Sequence, residues 1–233
     1  MHRKIIFTIF FVILIYSSGF AHDVWMEKKE GKLIVQWGHA DKTEPYDPAK
    51  VREVKAFDIW GKEIAVSLAK EKDSVAITPR EEVAVVTLVF DSGFWTKTTE
   101  GFKNIPKKGV EGVMESFHSL RFSKEILRWS DKLAKPVGME FELVPLKNPL
   151  SAKFGGILPV KVFYEGKPLE GAKIYGGGKR KDALKTGPDG IANVVIGEVG
   201  NHKIGALHKI PLHNNPDADY LVRTTNLTFE VKQ

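Results

Sequence analysis

The sequence predicts an all-β protein: two antiparallel β-sandwich domains behind a cleaved signal peptide. Three observations predict it. Short runs rich in β-branched and aromatic residues recur along the chain, turn-forming residues punctuate them, and no long helical pattern intervenes. The 233 residues are 42% hydrophobic and 27% charged, an ordinary globular balance that excludes disordered and fibrous classes. There is no cysteine, so disulfides, thiol catalysis, zinc knuckles and iron–sulfur clusters are excluded. The formal net charge of +6 comes without a long basic run, so no nucleic-acid partner is expected.

The first element is a targeting segment. Arg3 and Lys4 precede an apolar run from Ile5 to Tyr16, too short to span a bilayer as a helix, and Ser17-Ser18-Gly19-Phe20-Ala21 supplies small residues before a cut. Residues 1–21 are therefore expected to be removed, leaving a mature chain that starts at His22. An exported protein without cysteine suits a bacterial periplasm. No second long apolar run follows, so no membrane insertion is expected after cleavage.

The strands follow in order. Lys32 to Trp37 comes after a Gly31 turn, Val51 to Phe57 alternates, and Val83 to Phe90 (VAVVTLVF) is a continuous apolar run fit for a strand buried on both faces. Phe94 to Val113, rich in Lys, Thr and Gly, reads as a long loop or a loosely paired excursion. Ser116 to Trp129 reads as a strand with a helical end. Pro145 and Pro149 stiffen a link, which divides the chain into an N-terminal sandwich over 22–140 and a C-terminal one over 141–233. Beyond the link, Leu158 to Tyr164, Ala172 to Tyr175, Ile191 to Ile196, His202 to His208 and Tyr220 to Val231 read as strands. Glu165-Gly166 and Asp189-Gly190 mark turns between them.

Nucleophile-elbow, phosphate-loop and dinucleotide motifs are absent, and Gly176-Gly177-Gly178-Lys179-Arg180 lacks the spacing of a phosphate cradle. The histidines carry the chemistry. Cleavage before His22 would give one residue a free α-amine and an imidazole, which together chelate a metal ion in a six-membered ring. A third nitrogen from another histidine completes a T-shaped set suited to Cu(II) or Ni(II). His39 and His208, each read at a strand end, are expected to join His22 in one metal site between the two domains, each giving one ring nitrogen. Asp23, Glu44, Asp47, Asp217 and Asp219 are candidate oxygen ligands. His118 reads as a half-buried structural residue, and His202 and His213 as turn and loop residues.

Several segments occur together in one order: Ala21-His22-Asp23-Val24-Trp25, Gly38-His39-Ala40-Asp41-Lys42, Tyr46-Asp47-Pro48-Ala49-Lys50-Val51 and Asp91-Ser92-Gly93-Phe94-Trp95-Thr96-Lys97-Thr98. Leu143-Val144-Pro145-Leu146 and Thr224-Thr225-Asn226-Leu227-Thr228-Phe229 complete the set. With these the chain resembles the periplasmic accessory components of cobalt and nickel uptake systems, many of which are known only as a domain of unknown function. The resemblance implies β-sandwich domains, a metal site that includes the N-terminal histidine, and delivery of Ni(II) or Co(II) to a membrane uptake transporter. It implies no enzymatic activity. The C-terminal half also resembles carboxypeptidase-regulatory-like and immunoglobulin-like domains, which bears on fold and not function. Two other readings stand beside the metal-delivery one. The first is a non-metal sandwich module that binds a protein or glycan; the second is a copper protein of the histidine-brace kind.

Overall fold

The computed structural model describes residues 22–39, 42–80, 82–176 and 184–233. The expected signal peptide and residues 177–180 of the glycine-rich tip lie outside these. The strands, in chain order, are β1 (Asp23–Lys29), β2 (Lys32–His39), β3 (Lys42–Thr43), β4 (Val51–Asp58), β5 (Glu63–Ile64) and β6 (Ser67–Lys70). Then come β7 (Val75–Thr78), β8 (Val83–Thr98), β9 (Gly101–Lys103), β10 (Val113–Ile126), β11 (Phe141–Pro145) and β12 (Ile157–Tyr164). The last are β13 (Lys167–Pro168), β14 (Lys173–Tyr175), β15 (Leu184–Lys185), β16 (Ile191–Val195), β17 (Gly200–Pro211) and β18 (Tyr220–Val231). Among the described residues the helical elements are three short 3-10 turns. The fold is all-β, as the alternating and β-branched runs predict.

These strands make three sheets. A five-stranded sheet has the order β1-β2-β7-β6, with β3 on β2. A nine-stranded sheet has the order β15-β14-β17-β18-β10-β8-β4-β5, with β9 on β8. A four-stranded sheet has the order β11-β12-β13, with β16 on β12. The nine-stranded sheet takes strands from both sides of residue 140, and its seam is the parallel pairing of β10 with β18. The other pairings are antiparallel.

Each face of the central sheet carries a core. On one face Val24, Met26, Leu33, Val35 and Trp37 of the five-stranded sheet pack on Val86, Leu88 and Phe90 of β8. On the other, Phe141, Leu143, Leu158, Val160 and Val162 of the four-stranded sheet pack on Phe122, Ile204, Leu227 and Phe229. Strand β8 contributes to both cores, which is why its sequence is apolar without alternation.

One local alternative is decided and one expectation corrected. The segment Phe94 to Val113 is in part the paired excursion: β8 continues to Thr98, turns at Thr99-Glu100, and returns as β9 against Thr96–Thr98. Its buried Thr96 and Thr98 are accommodated because their hydroxyls donate to backbone carbonyls, of Ile105 and of Gly101. Strand β10 does not end in a helical turn. Lys124, Glu125 and Ile126 are ladder partners of Leu227, Thr228 and Phe229 on one side and of Thr87, Val86 and Val85 on the other. Pairing on both edges overrides the local helical preference of Ser-Lys-Glu-Ile. Lys124, fully buried, forms an ion pair with Glu142 of β11, whose carboxylate also accepts from the backbone N–H groups of Val137, Gly138 and Met139. A charged pair inside the core thus joins the four-stranded sheet to the central one.

Candidate metal centre

Strand β2 places Leu33, Val35 and Trp37 towards the core, and its two-residue period carries His39 to the same face at the strand's end. Strand β1 does the same with Val24 and Met26, and Asp23 is the ladder partner of Gly38. His22 therefore arrives beside His39, with ring centroids 4.4 Å apart. On the other edge of β2, the tight β2–β3 hairpin pairs His39 with Lys42 and Gly38 with Thr43, and the Glu44 N–H donates to the Trp37 carbonyl at 2.7 Å. Gly38 makes this closure possible. Its φ is +134°, and a Cβ there would stand 2.4 Å from the Lys42 carbonyl oxygen.

Three strand ends thus bring His22, His39 and Glu44 together. One ligand atom from each lies within 4.8 Å of the others. His22 Nε2 is 3.0 Å from Glu44 Oε2, and both side chains are about one-third exposed, at 32% and 37%. The floor is aromatic. The Trp37 ring stacks on His22 at 5.4 Å and 23°, and Trp95 at 6.5 Å and 25°. Phe90 lies 4.8 Å from Trp37, and the Arg121 guanidinium carbon 5.1 Å from the Trp37 ring centre. The next residue along, Asp23, is clamped by Lys203 Nζ at 2.9 Å and Asn226 Nδ2 at 3.3 Å.

Two imidazoles and a carboxylate at one rim are a donor set for a borderline divalent ion, each binding through an unprotonated atom, so that protons compete with the ion and any displaced go to solvent. The free amine expected at His22 depends on cleavage at residues outside the described ones.

His208 does not join this pair. It lies within β17, not at its end, and its side chain points to the opposite face of the central sheet. There its ring packs 4.9 Å from Tyr164 and 6.2 Å from Phe141. The alternation of β17 dictates this: His202, Ile204, Ala206 and His208 share one face, while Lys203 reaches the other face and Asp23. His118 pairs with Asp91 at 3.0 Å, and His202 is buried against Phe229. His213 lines a shallow cleft with Lys107, Glu115 and Tyr220. Of the candidate oxygen ligands only Glu44 reaches the histidines; Asp23 is held as above, and Asp47 caps a 3-10 turn through the Ala49 N–H. Sequence reasoning picked out neither the Trp37 and Trp95 floor nor the Arg121 beneath it. The alternation of β2 was the available signal for Trp37.

A family model described as "Domain of unknown function (DUF4198)" matches residues 19–210. An uncharacterized protein of Haemophilus influenzae is 29% identical over 221 residues, covering 93% of each chain. Among solved structures, the D0-D1 domain of Intimin covers 90% of this chain and 98% of its own at 11% identity, with a TM-score of 0.22, too low to carry an argument.

Proposed function

The chain belongs to the domain family of unknown function DUF4198, and from that premise we propose that it is a periplasmic metal-binding protein whose ion sits at the rim formed by His22, His39 and Glu44. The observation that carries the reading is the convergence of these three side chains, two histidines and the carboxylate behind them, from three strand ends.

The proposed ligand arrangement follows from the ring orientation. His22 Nε2 faces Glu44 Oε2 at 3.0 Å. A carboxylate there accepts the Nε2–H of a neutral imidazole and fixes that tautomer, which leaves the lone pair on Nδ1. Nδ1 and the α-amine of a chain cut before His22 then close a six-membered chelate ring, and a ring nitrogen of His39 adds a third ligand. Glu44 is the orienting group behind the ligand and draws the His22 ring towards one rotamer. Three protein nitrogens leave positions open, as a protein that receives and passes on an ion requires.

Ni(II) or Co(II) is the proposed cargo and a membrane uptake transporter the proposed recipient. Cu(II) is expected to bind more tightly in the test tube, because divalent affinity peaks at copper whatever the biological metal. The proposal assigns no enzymatic role. The direct test is the metal content of protein purified after native export, by mass spectrometry of wild type and His39→Ala. One ion per chain in the wild type and a loss in the variant support the reading. Equal trace content in both would contradict it.

A further inference from the structure

On the opposite face of the central sheet a second polar group spans four adjacent strands. Asp91 of β8 is the ladder partner of Leu120 of β10, Leu120 of Arg223 of β18, and Arg223 of His208 of β17. His118, one period from Leu120, joins the group through its 3.0 Å contact with Asp91. Glu140, just before β11, accepts from Arg223 Nε at 2.7 Å, and Tyr164 at the end of β12 packs on His208. The group lies where the four-stranded sheet stops covering the central one, and His118, His208, Tyr164 and Glu140 are all partly exposed.

Arg223 is the odd member. It is only 7% exposed, Glu140 satisfies its Nε, and its Nη1 is buried without a hydrogen-bond partner. A guanidinium N–H buried without an acceptor costs free energy that an acceptor would recover. The groups around it do not supply one. Asp91 is occupied by Arg52, His118 and the Gly93 N–H. His208 is the neighbour of Arg223 in the row and His118 lies one period from the other neighbour, Leu120. Burial and then the Arg223 charge disfavour the protonated form of His208, and burial does the same at His118 against the opposing pull of Asp91, with Arg223 and Arg52 adding to it. An oxyanion placed there would meet the free Arg223 Nη1 and two imidazoles that take up protons to meet it.

We propose that Arg223, His208 and His118 form a binding site for a small-molecule oxyanion, a carboxylate or a phosphate, at the mouth between the central and four-stranded sheets. The site is separate from the His22 rim and does not rest on the metal reading. Arg223 supplies the fixed charge and the directed N–H, and the imidazoles supply further donors. The apolar rings of Phe94 on His118 and Tyr164 on His208 wall the mouth.

The test is an NMR titration of the histidine ring signals of the mature chain, with chelator present to keep metal away. Inorganic phosphate, acetate and succinate are added in separate arms. A saturable shift of the His208 and His118 signals, with His22 and His39 unmoved, supports the site, and the arm that saturates identifies phosphate or carboxylate as the ligand class. Arg223→Lys keeps the charge beside Glu140 but loses the planar fork, and should weaken binding by about tenfold or more. His208→Phe keeps the packing on Tyr164 and should weaken it as well. Absence of a saturable shift in all three arms, or unchanged binding in both folded variants, would overturn the proposal.

Discussion

Lys203 Nζ holds the Asp23 carboxylate at 2.9 Å, so the residue that follows His22 is tied to a strand 180 positions further along the chain. Asn226 adds a second tie to the same carboxylate at 3.3 Å. The segment that carries His22 is therefore tied to β17 and β18. Lys203→Met should lower metal affinity several-fold while costing under about 1 kcal/mol of stability, since the pair is partly exposed. Calorimetric titration beside urea denaturation separates the two. Unchanged affinity would mean that the clamp does not position His22.

Gly38→Ala is expected to damage the centre without touching a ligand. The added Cβ would meet the Lys42 carbonyl at 2.4 Å, in a conformation that L side chains rarely adopt. The hairpin must open, which moves Glu44 away from His22. Metal affinity should fall at least about tenfold, and stability by roughly 1–3 kcal/mol. An alanine variant with wild-type affinity would show that the hairpin is not what assembles the site.

Lys124→Met should destabilise the protein by about 3–5 kcal/mol, because it strands the buried Glu142 carboxylate without its cation. The three backbone N–H groups that Glu142 accepts soften the loss but do not neutralise the charge. Urea midpoints at constant slope give the number. A loss below about 1 kcal/mol would mean that the pair does not join the two sheets energetically.

Glu125 makes stability depend on pH. Burial is the main cause that raises its carboxyl from 4.5 to about 7; the Thr228 hydroxyl and Lys28 act the other way, and Glu230 adds to the rise. The folded chain thus holds this proton more tightly than the unfolded one. The sign follows: the contribution is favourable below the unfolded pKa and is lost as pH rises from about 4.5 through about 7. The loss is on the order of 3 kcal/mol. Glu125→Gln should flatten stability over that interval and be more stable than wild type at about pH 8. A variant with the wild-type pH slope would assign the slope to other groups.

The strand inventory was legible because local patterning sets it. VAVVTLVF announced a strand with apolar surroundings on both sides, and β8 does serve two cores. The pairing of β10 with β18 was not legible. It joins residues about a hundred positions apart, in parallel, and no turn in the sequence marks it. The same gap explains the candidate site. His22 and His39 were singled out by residue type and position, and they meet. His208 was grouped with them as a strand-end residue, yet β17 runs on to Pro211 and its alternation turns the ring to the other face. Glu44 was one carboxylate among several until the Gly38 hairpin set it beside His22.

The most direct measurement compares Ni(II) binding by two mature chains that differ only at the start, one beginning at His22 and one carrying an added Met before it. Both keep the His22, His39 and Glu44 side chains, but only the first has an amine able to close the chelate ring. The account predicts one ion per chain for the first and an affinity weaker by about 100-fold or more, roughly 2.7 kcal/mol, for the second. Equal affinities, or no binding by either chain, would contradict it.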